Sequence, residues 1–138
     1  MAYAGDLGPA EAFELLEKDP DAVLVDVRTK AEWAYVGLPD LRDLGRDVVL
    51  VEWESFPDHA PNPDFVGELQ RAGLRPGAPV AFICRSGVRS KAAAEAATAA
   101  GFATAYNVSG GFEGPPDAAG HRGTTGGWKA AGLPWRQS

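Results

Sequence analysis

Cys84, the one cysteine of the chain, opens the run Cys84-Arg85-Ser86-Gly87-Val88-Arg89-Ser90, directly after the apolar stretch Pro79-Val80-Ala81-Phe82-Ile83. A thiol at the end of a strand, followed by a short turn rich in Gly and Arg, is expected to lie within a ring of backbone N–H groups. Such a nest, with two arginines and the start of the next helix beside it, favours the thiolate and binds an anion. Free cysteines are more often small core residues, but Arg85, Ser86, Gly87 and Arg89 are poor core neighbours, so the run reads as a nucleophile loop. Gly87 suits a backbone that must aim successive amides at one centre. Arg89, at the expected helix start, is placed to clamp an oxyanion with both arms of its guanidinium. Arg85 either meets substrate or folds back on an acid. Ser86 and Ser90 either donate to the sulfur or cap the helix.

A second cluster follows the apolar run 22–27: Asp26, Arg28 and, four residues on, Glu32. The simplest reading is a carboxylate and a guanidinium paired at a strand end, fixing loop geometry. General acid or base work is less expected of them, because a cysteine in a positive nest needs no base to ionise. A Cys-His dyad requires His59 or His121 to arrive through the fold. His121 and Arg122 lie in the polar, Gly-rich stretch 113–127, whose length marks it as a functional or mobile loop that lines the site or stays solvated. One cysteine and two separated histidines give no metal-ligand spacing, and no phosphate-binding glycine motif with its lysine occurs. No metal and no cofactor are expected.

These residues need a scaffold, and the chain's periodicities supply one. Pro9 to Lys18 reads as a helix with Pro near its first position and Phe13 and Leu16 on one face. The run 22–27 is continuous and apolar, as in a strand buried on both faces. Thr29 caps a short helix through Trp33, paired with Glu32 as in a capping box. Segments 48–53, 79–83 and 103–108 read as further strands. Helices are expected from 65 to 71, ended by Gly73, and from about Ser90 to Ala100, ended by Gly101. A short helix at 127–132 closes the chain, with Trp128 and Trp135 as anchors. Strands alternating with helices predict a parallel sheet covered on both faces, with sites at the carboxyl ends of its strands. Cys84 is at such an end.

The chain has 138 residues, which fits one domain, and a net charge of -6, which disfavours nucleic acid and anionic membrane as partners. No apolar run approaches the roughly 20 residues of a membrane span. The first residues lack the basic and apolar regions of a secretory signal. With a lone thiol that suits a reducing compartment, a cytoplasmic location is expected.

At these residues the chain resembles a single-domain rhodanese, or thiosulfate sulfurtransferase. The resemblance rests on Leu24-Val25-Asp26-Val27-Arg28 with Glu32-Trp33, the Cys84 to Ser90 loop, Asn107-Val108-Ser109-Gly110-Gly111-Phe112, and Trp128-Lys129-Ala130-Ala131-Gly132-Leu133-Pro134. It implies a three-layer α/β fold across residues 1–138, with a five-stranded, mostly parallel sheet between helices. It implies a catalytic Cys84 that carries sulfane sulfur as a persulfide, and a substrate-binding loop of Arg85, Ser86, Gly87, Val88, Arg89 and Ser90. Arg89 becomes the substrate-anion residue, with Asp26, Arg28 and Glu32 the network behind. The partners implied are a small anionic sulfur donor and a cyanide, small-thiol or protein-thiol acceptor. Two departures stand out: Gly37-Leu38-Pro39 replaces the usual Gly-His-Ile, and residues 113–127 separate Phe112 from Trp128.

Two other readings compete. A cysteine-dependent phosphatase or arsenate reductase resembles families with five residues between cysteine and arginine. Here four residues separate Cys84 from Arg89, a tighter ring that fits sulfur better than phosphate. A sulfur-carrier or regulatory module acting on a protein partner would use the same loop, and apolar surface around its mouth would favour it.

Overall fold

The computed structural model describes residues 3–54, 60–115, 118–122 and 126–136. In chain order the elements are β1 (Gly5–Leu7), α1 (Pro9–Lys18), β2 (Val23–Asp26), α2 (Lys30–Tyr35), β3 (Leu38–Pro39), a 3₁₀ turn (Arg42–Leu44), β4 (Val49–Leu50), α3 (Phe65–Arg71), β5 (Val80–Ile83), α4 (Val88–Ala99), β6 (Ala105–Val108), α5 (Gly127–Ala130) and β7 (Trp135–Arg136). Five strands form one sheet in the order β1-β6-β5-β2-β4, every pairing parallel. Helices cover both faces, giving the three-layer α/β arrangement that the alternation of strands and helices predicts.

The pleat sorts the core. Along β5, Val80 and Phe82 pack with Phe65, Leu69, Ala93, Ala94 and Ala97 from the α3 and α4 layer. Ala81 and Ile83 pack with Ala12, Leu16, Phe112 and Trp128 from the opposite layer. Successive side chains of a strand face opposite sides. Cys84 continues the rhythm of Val80 and Phe82 and belongs to the α3/α4 side, 1% exposed. β5 is the middle strand, so Cys84 leaves the sheet at its centre.

Some boundaries differ from the sequence reading, each for a local reason. The strand expected at 48–53 narrows to Val49–Leu50, yet Val51 and Trp53 N–H still donate to Asp26 and Val27 carbonyls at 3.2 and 3.0 Å. α4 starts at Val88, two residues early, because Gly87 takes φ +110° and turns the chain directly into helix. The edge strand β1 is not legible in the sequence, because three residues with Asp6 at the centre carry no strand periodicity and β6 alone pairs them. A short antiparallel pair, β3 with β7, joins Leu38 to Arg136 and Pro39 to Trp135.

The anchoring tryptophans behave differently. Trp128 is fully buried and its indole N–H donates to the Pro134 carbonyl at 2.6 Å. Trp135 is 39% exposed, edge-on to Phe112 and covered by the Lys129 ammonium 4.0 Å from its ring. Among the described residues no helix is long and apolar enough to cross a membrane.

Candidate active site

The loop between β5 and α4 is held from beneath by the turn after β6. Phe112 N–H donates to the Cys84 carbonyl at 2.8 Å, and the Glu113 and Gly114 N–H groups both donate to the Arg85 carbonyl, at 3.0 and 3.1 Å. In a trans peptide the N–H points opposite to the C=O. Fixing these two carbonyls downward therefore turns the Arg85 and Ser86 amides to the other side. Gly111 permits the contact: a Cβ there would lie 2.5 Å from the Cys84 carbonyl oxygen. The Gly-Gly turn thus shapes the cysteine loop.

Among the described residues the sulfur has two polar neighbours. Gly87 N–H donates to Sγ at 3.1 Å, and Ser90 Oγ lies 3.1 Å from it. The expected ring of amides is thus reduced at Sγ itself: among the described residues one amide is within hydrogen-bond distance. The strand's alternation drops Sγ into the α3/α4 layer, so only the end of the loop reaches it. The start of α4 lies directly beside it, and the positive end of a helix stabilises negative charge there.

Behind the loop, Asp26 and Arg28 form the pair read from the sequence, with both side chains fully buried. Arg28 Nε donates to Asp26 Oδ1 at 2.9 Å and Nη2 to Oδ2 at 2.6 Å. Nη2 also reaches the Gly37 carbonyl at 2.6 Å, and the guanidinium stacks 4.3 Å over the Phe112 ring. One side chain therefore ties the end of β2 to the α2–β3 corner and to the turn that grips Cys84. Removing one partner of a buried pair leaves an uncompensated charge. Arg28→Met is expected to cost about 3–5 kcal/mol, read as a lowered midpoint in urea unfolding; an unchanged midpoint would show the pair to be dispensable.

Glu32 has two tasks. It closes the capping box of α2, accepting from the Thr29 N–H at 3.2 Å while Thr29 Oγ1 accepts from its own N–H at 3.3 Å. It also receives Arg89 bidentately, Nη1 on Oε1 at 2.7 Å and Nη2 on Oε2 at 3.0 Å. The oxyanion clamp expected of Arg89 is therefore directed inward. Its fork is filled by a carboxylate 57 residues away in sequence, a planar match that local spacing does not disclose.

Burial works to raise the Glu32 carboxyl, but the Arg89 hydrogen bonds and charge outweigh it, so the group titrates below the usual glutamate range. A carboxyl depressed in the folded state stabilises the fold above its unfolded value, about 4.3, and that contribution is lost as pH falls through the folded value. Glu32→Gln is expected to cost about 1–2 kcal/mol at pH 7, less than a fully buried pair. The difference from wild type should shrink toward pH 3 in thermal melts. A difference constant with pH would break this account.

A cavity of about 690 Å³ opens beside the loop. Cys84, Arg85, Ser86, Val88 and Arg89 line it from one side, and Thr29, Glu32, Tyr35 and Val36 from α2 and its ends. Glu54 adds a further carboxylate. Gly87 is buried beneath, with its amide on the sulfur. The structure does not bring His121 or Arg122 to this cavity. His121 is exposed, and Arg122 Nη1 donates to the Gly114 carbonyl at 2.7 Å. The reason is the pinched base of the 113–127 loop: Gly114 and Gly126–Gly127 stack backbone on backbone, so close that a Cβ on Gly114 would lie 2.5 Å from Gly126. His59 lies outside the described residues. Among the described residues no group of three or more His, Cys, Asp or Glu is placed to hold a metal.

Neither Tyr35 nor the contact made by Asn107 follows from local spacing. Tyr35 is 82% exposed at the cavity. Asn107 is 4% exposed and accepts from Ser90 Oγ at 2.6 Å. The available signal was one amide inside an otherwise apolar strand, since a buried polar group needs a partner.

The family model described as the STR4 middle domain matches residues 5–138. An uncharacterized Rickettsia conorii protein, RC0915, is 36% identical over 126 residues, covering 91% of this chain and 92% of that protein. Rv0390 from M. tuberculosis is 56% identical, with a TM-score of 0.92 over 99% of this chain and 100% of that one. The polysulfide-sulfur transferase homodimer from Wolinella succinogenes is 26% identical, with a TM-score of 0.63 over 96% of this chain and 78% of that one.

Proposed function

Because the chain belongs to the rhodanese family, through its STR4 middle-domain match over residues 5–138, we propose that it is a single-unit sulfurtransferase working through a Cys84 persulfide. The observation that carries this reading is the sulfur's position: on the wall of an open cavity, at the start of α4, with the Gly87 N–H aimed at it. The Cys84 thiolate attacks the outer sulfur of thiosulfate or of a persulfide donor. A new S–S bond forms, the donor's S–S bond breaks, and sulfite (or the donor thiolate) leaves with the bonding pair. The outer sulfur of the resulting persulfide carries the negative charge, beside the amides of Arg85 and Ser86 that the 112–114 turn sets free. Cyanide or a thiolate then attacks that outer sulfur, and Cys84 departs as thiolate. Ping-pong kinetics follow.

Within this reading the loop residues divide their work. Arg85, exposed at the mouth, meets the anionic donor. Arg89 contributes its charge to the sulfur's surroundings while Glu32 fixes its position. Ser86, Val88 and Ser90 shape the wall and floor. Asp26, Arg28 and Glu32 hold the loop rather than move protons. The four-residue spacing between Cys84 and Arg89, with the arginine fork already filled, argues against phosphate-ester chemistry.

One observation favours a protein thiol as acceptor. Tyr35 and Val88 stand 82% and 78% exposed at the cavity, and apolar groups displayed together at a mouth mark a contact surface. Mass spectrometry of the purified chain tests the central claim. Thiosulfate should add one sulfur atom and release one sulfite, and a reductant should reverse the gain. A chain that gains no mass from thiosulfate or from an organic persulfide would overturn the proposal.

A further inference from the structure

Beneath Cys84 a chain of hydrogen bonds runs to the far edge of the sheet. Sγ lies 3.1 Å from Ser90 Oγ, Ser90 Oγ is 2.6 Å from Asn107 Oδ1, and Asn107 Nδ2 is 3.0 Å from Asp6 Oδ1. Tyr3 OH adds a donor to the same Asp6 oxygen at 2.7 Å. The chain has a direction that chemistry dictates. An ionised carboxylate only accepts, so the Asn107 amide must present its NH₂ to Asp6 and its oxygen to Ser90. The oxygen accepts, so the Ser90 hydroxyl gives its proton to Asn107. What Ser90 then shows to the sulfur is a lone pair. A thiol fits, because its S–H donates into that lone pair. A thiolate does not, unless the hydroxyl turns and forsakes Asn107. The hydrogen bonds from Tyr3 and Asn107 hold Asp6 below the usual carboxylate range, so this polarity persists through neutral pH.

We propose that Asp6 and Asn107 are positioning residues for Cys84: they pull the Ser90 proton away from Sγ, so that the inner sulfur is favoured uncharged. Two uncharged states satisfy this, the free thiol and the inner atom of a persulfide, whose charge lies on the outer sulfur. The consequence for sulfur transfer rests on the persulfide reading above. Unloading requires Cys84 to leave as thiolate, and a thiolate facing a lone pair is a poor leaving group. The chain of bonds therefore retains bound sulfur and slows its release to weak acceptors.

Asp6→Asn removes the obligatory acceptor while keeping every link. An amide at position 6 can offer either its oxygen or its NH₂, so when the sulfur ionises Asn107 is free to turn over and donate to Ser90, Tyr3 OH turns to accept, and the Ser90 proton points at the sulfur. Asp6 is exposed, so the exchange does not threaten the core. With one cysteine in the chain, thiolate absorbance measured against Cys84→Ala reports this group alone. The titration midpoint in Asp6→Asn should move to lower pH by about one unit, the size of one competing hydrogen bond. Removing the carboxylate's charge would also favour thiolate, so the same exchange is made in a Ser90→Ala background, where the shift should vanish. Tyr3→Phe, which leaves the direction intact, should titrate like wild type.

An unchanged midpoint in Asp6→Asn, an equal shift without Ser90, or a full shift in Tyr3→Phe would each overturn the proposal. In persulfide-loaded protein, cyanide should discharge Asp6→Asn about threefold faster, since a better-stabilised thiolate leaves faster and the dependence on its basicity is fractional; equal discharge rates would overturn the retention role. Failure of wild type to load sulfur would strike the sulfurtransferase reading instead, and the titration arm would still decide this one.

Discussion

Cys84→Ala should abolish sulfur uptake and lower turnover with thiosulfate and cyanide by at least about 10⁴-fold, the scale seen when a covalent nucleophile is removed. No second cysteine exists to take its place. The loss should be chemical rather than structural. Ala replaces the thiol with hydrogen at a site 1% exposed, and the Gly87 amide and Ser90 hydroxyl lose only a weak sulfur partner. A cost of about 1 kcal/mol is expected, small beside the catalytic effect. The measurements are steady-state turnover and a thermal melt on the same preparation. Turnover within tenfold of wild type would remove Cys84 from the mechanism, whatever its surroundings suggest.

Gly111→Ala should have the next largest effect, although position 111 touches no substrate. A Cβ would fall 2.5 Å from the Cys84 oxygen and 2.6 Å from the Arg85 carbonyl carbon and oxygen. All three are backbone atoms, with no flexible end to swing away. Either the turn after β6 retreats, breaking the Phe112 and Glu113 bonds to the loop, or the cysteine loop is pushed off its station. Displacement of a reacting group by about 1 Å can cost 10²-fold in rate. Overpacking of this kind destabilises by about 1–3 kcal/mol. Gly120→Ala is the matched control. Gly120 also has a left-handed backbone, φ +80°, but nothing lies within 4 Å of its missing Cβ. It should suffer only backbone strain and keep full activity. Equal behaviour of the two variants would show that the contact beneath Cys84 does not shape the site.

The parts of this site that could be read in advance are those whose partners lie close in sequence. The short apolar run 79–83 identified β5, and the Gly and Arg after it marked a turn into a helix; together they placed Cys84 at a strand's end. Thr29 and Glu32 are three residues apart, and their capping box forms as spacing predicts. Asp26 and Arg28 are two apart on the same strand exit, and they pair. Such contacts are set by backbone geometry that a few residues already define. The choice of partner for long side chains is different, because several candidates of opposite charge exist and only the packed chain brings one within reach. Arg89 meets Glu32 in this way, and a fork read as a substrate clamp becomes an internal pair.

From its residues alone the chain determined a parallel α/β sheet and a lone thiol at the carboxyl end of one of its strands. Only the tertiary structure decided what surrounds that thiol. The sheet order sets β6 beside β5 and β1 beside β6. That order places Asn107 under Ser90 and Asp6 beside Asn107, across 17 and 101 residues of sequence. The turn at 111–114 likewise reaches Cys84 because α4 returns the chain to the next strand of the same sheet. Periodicity reports which face a residue takes, whereas strand order, a property of the closed fold, determines which residue it meets there.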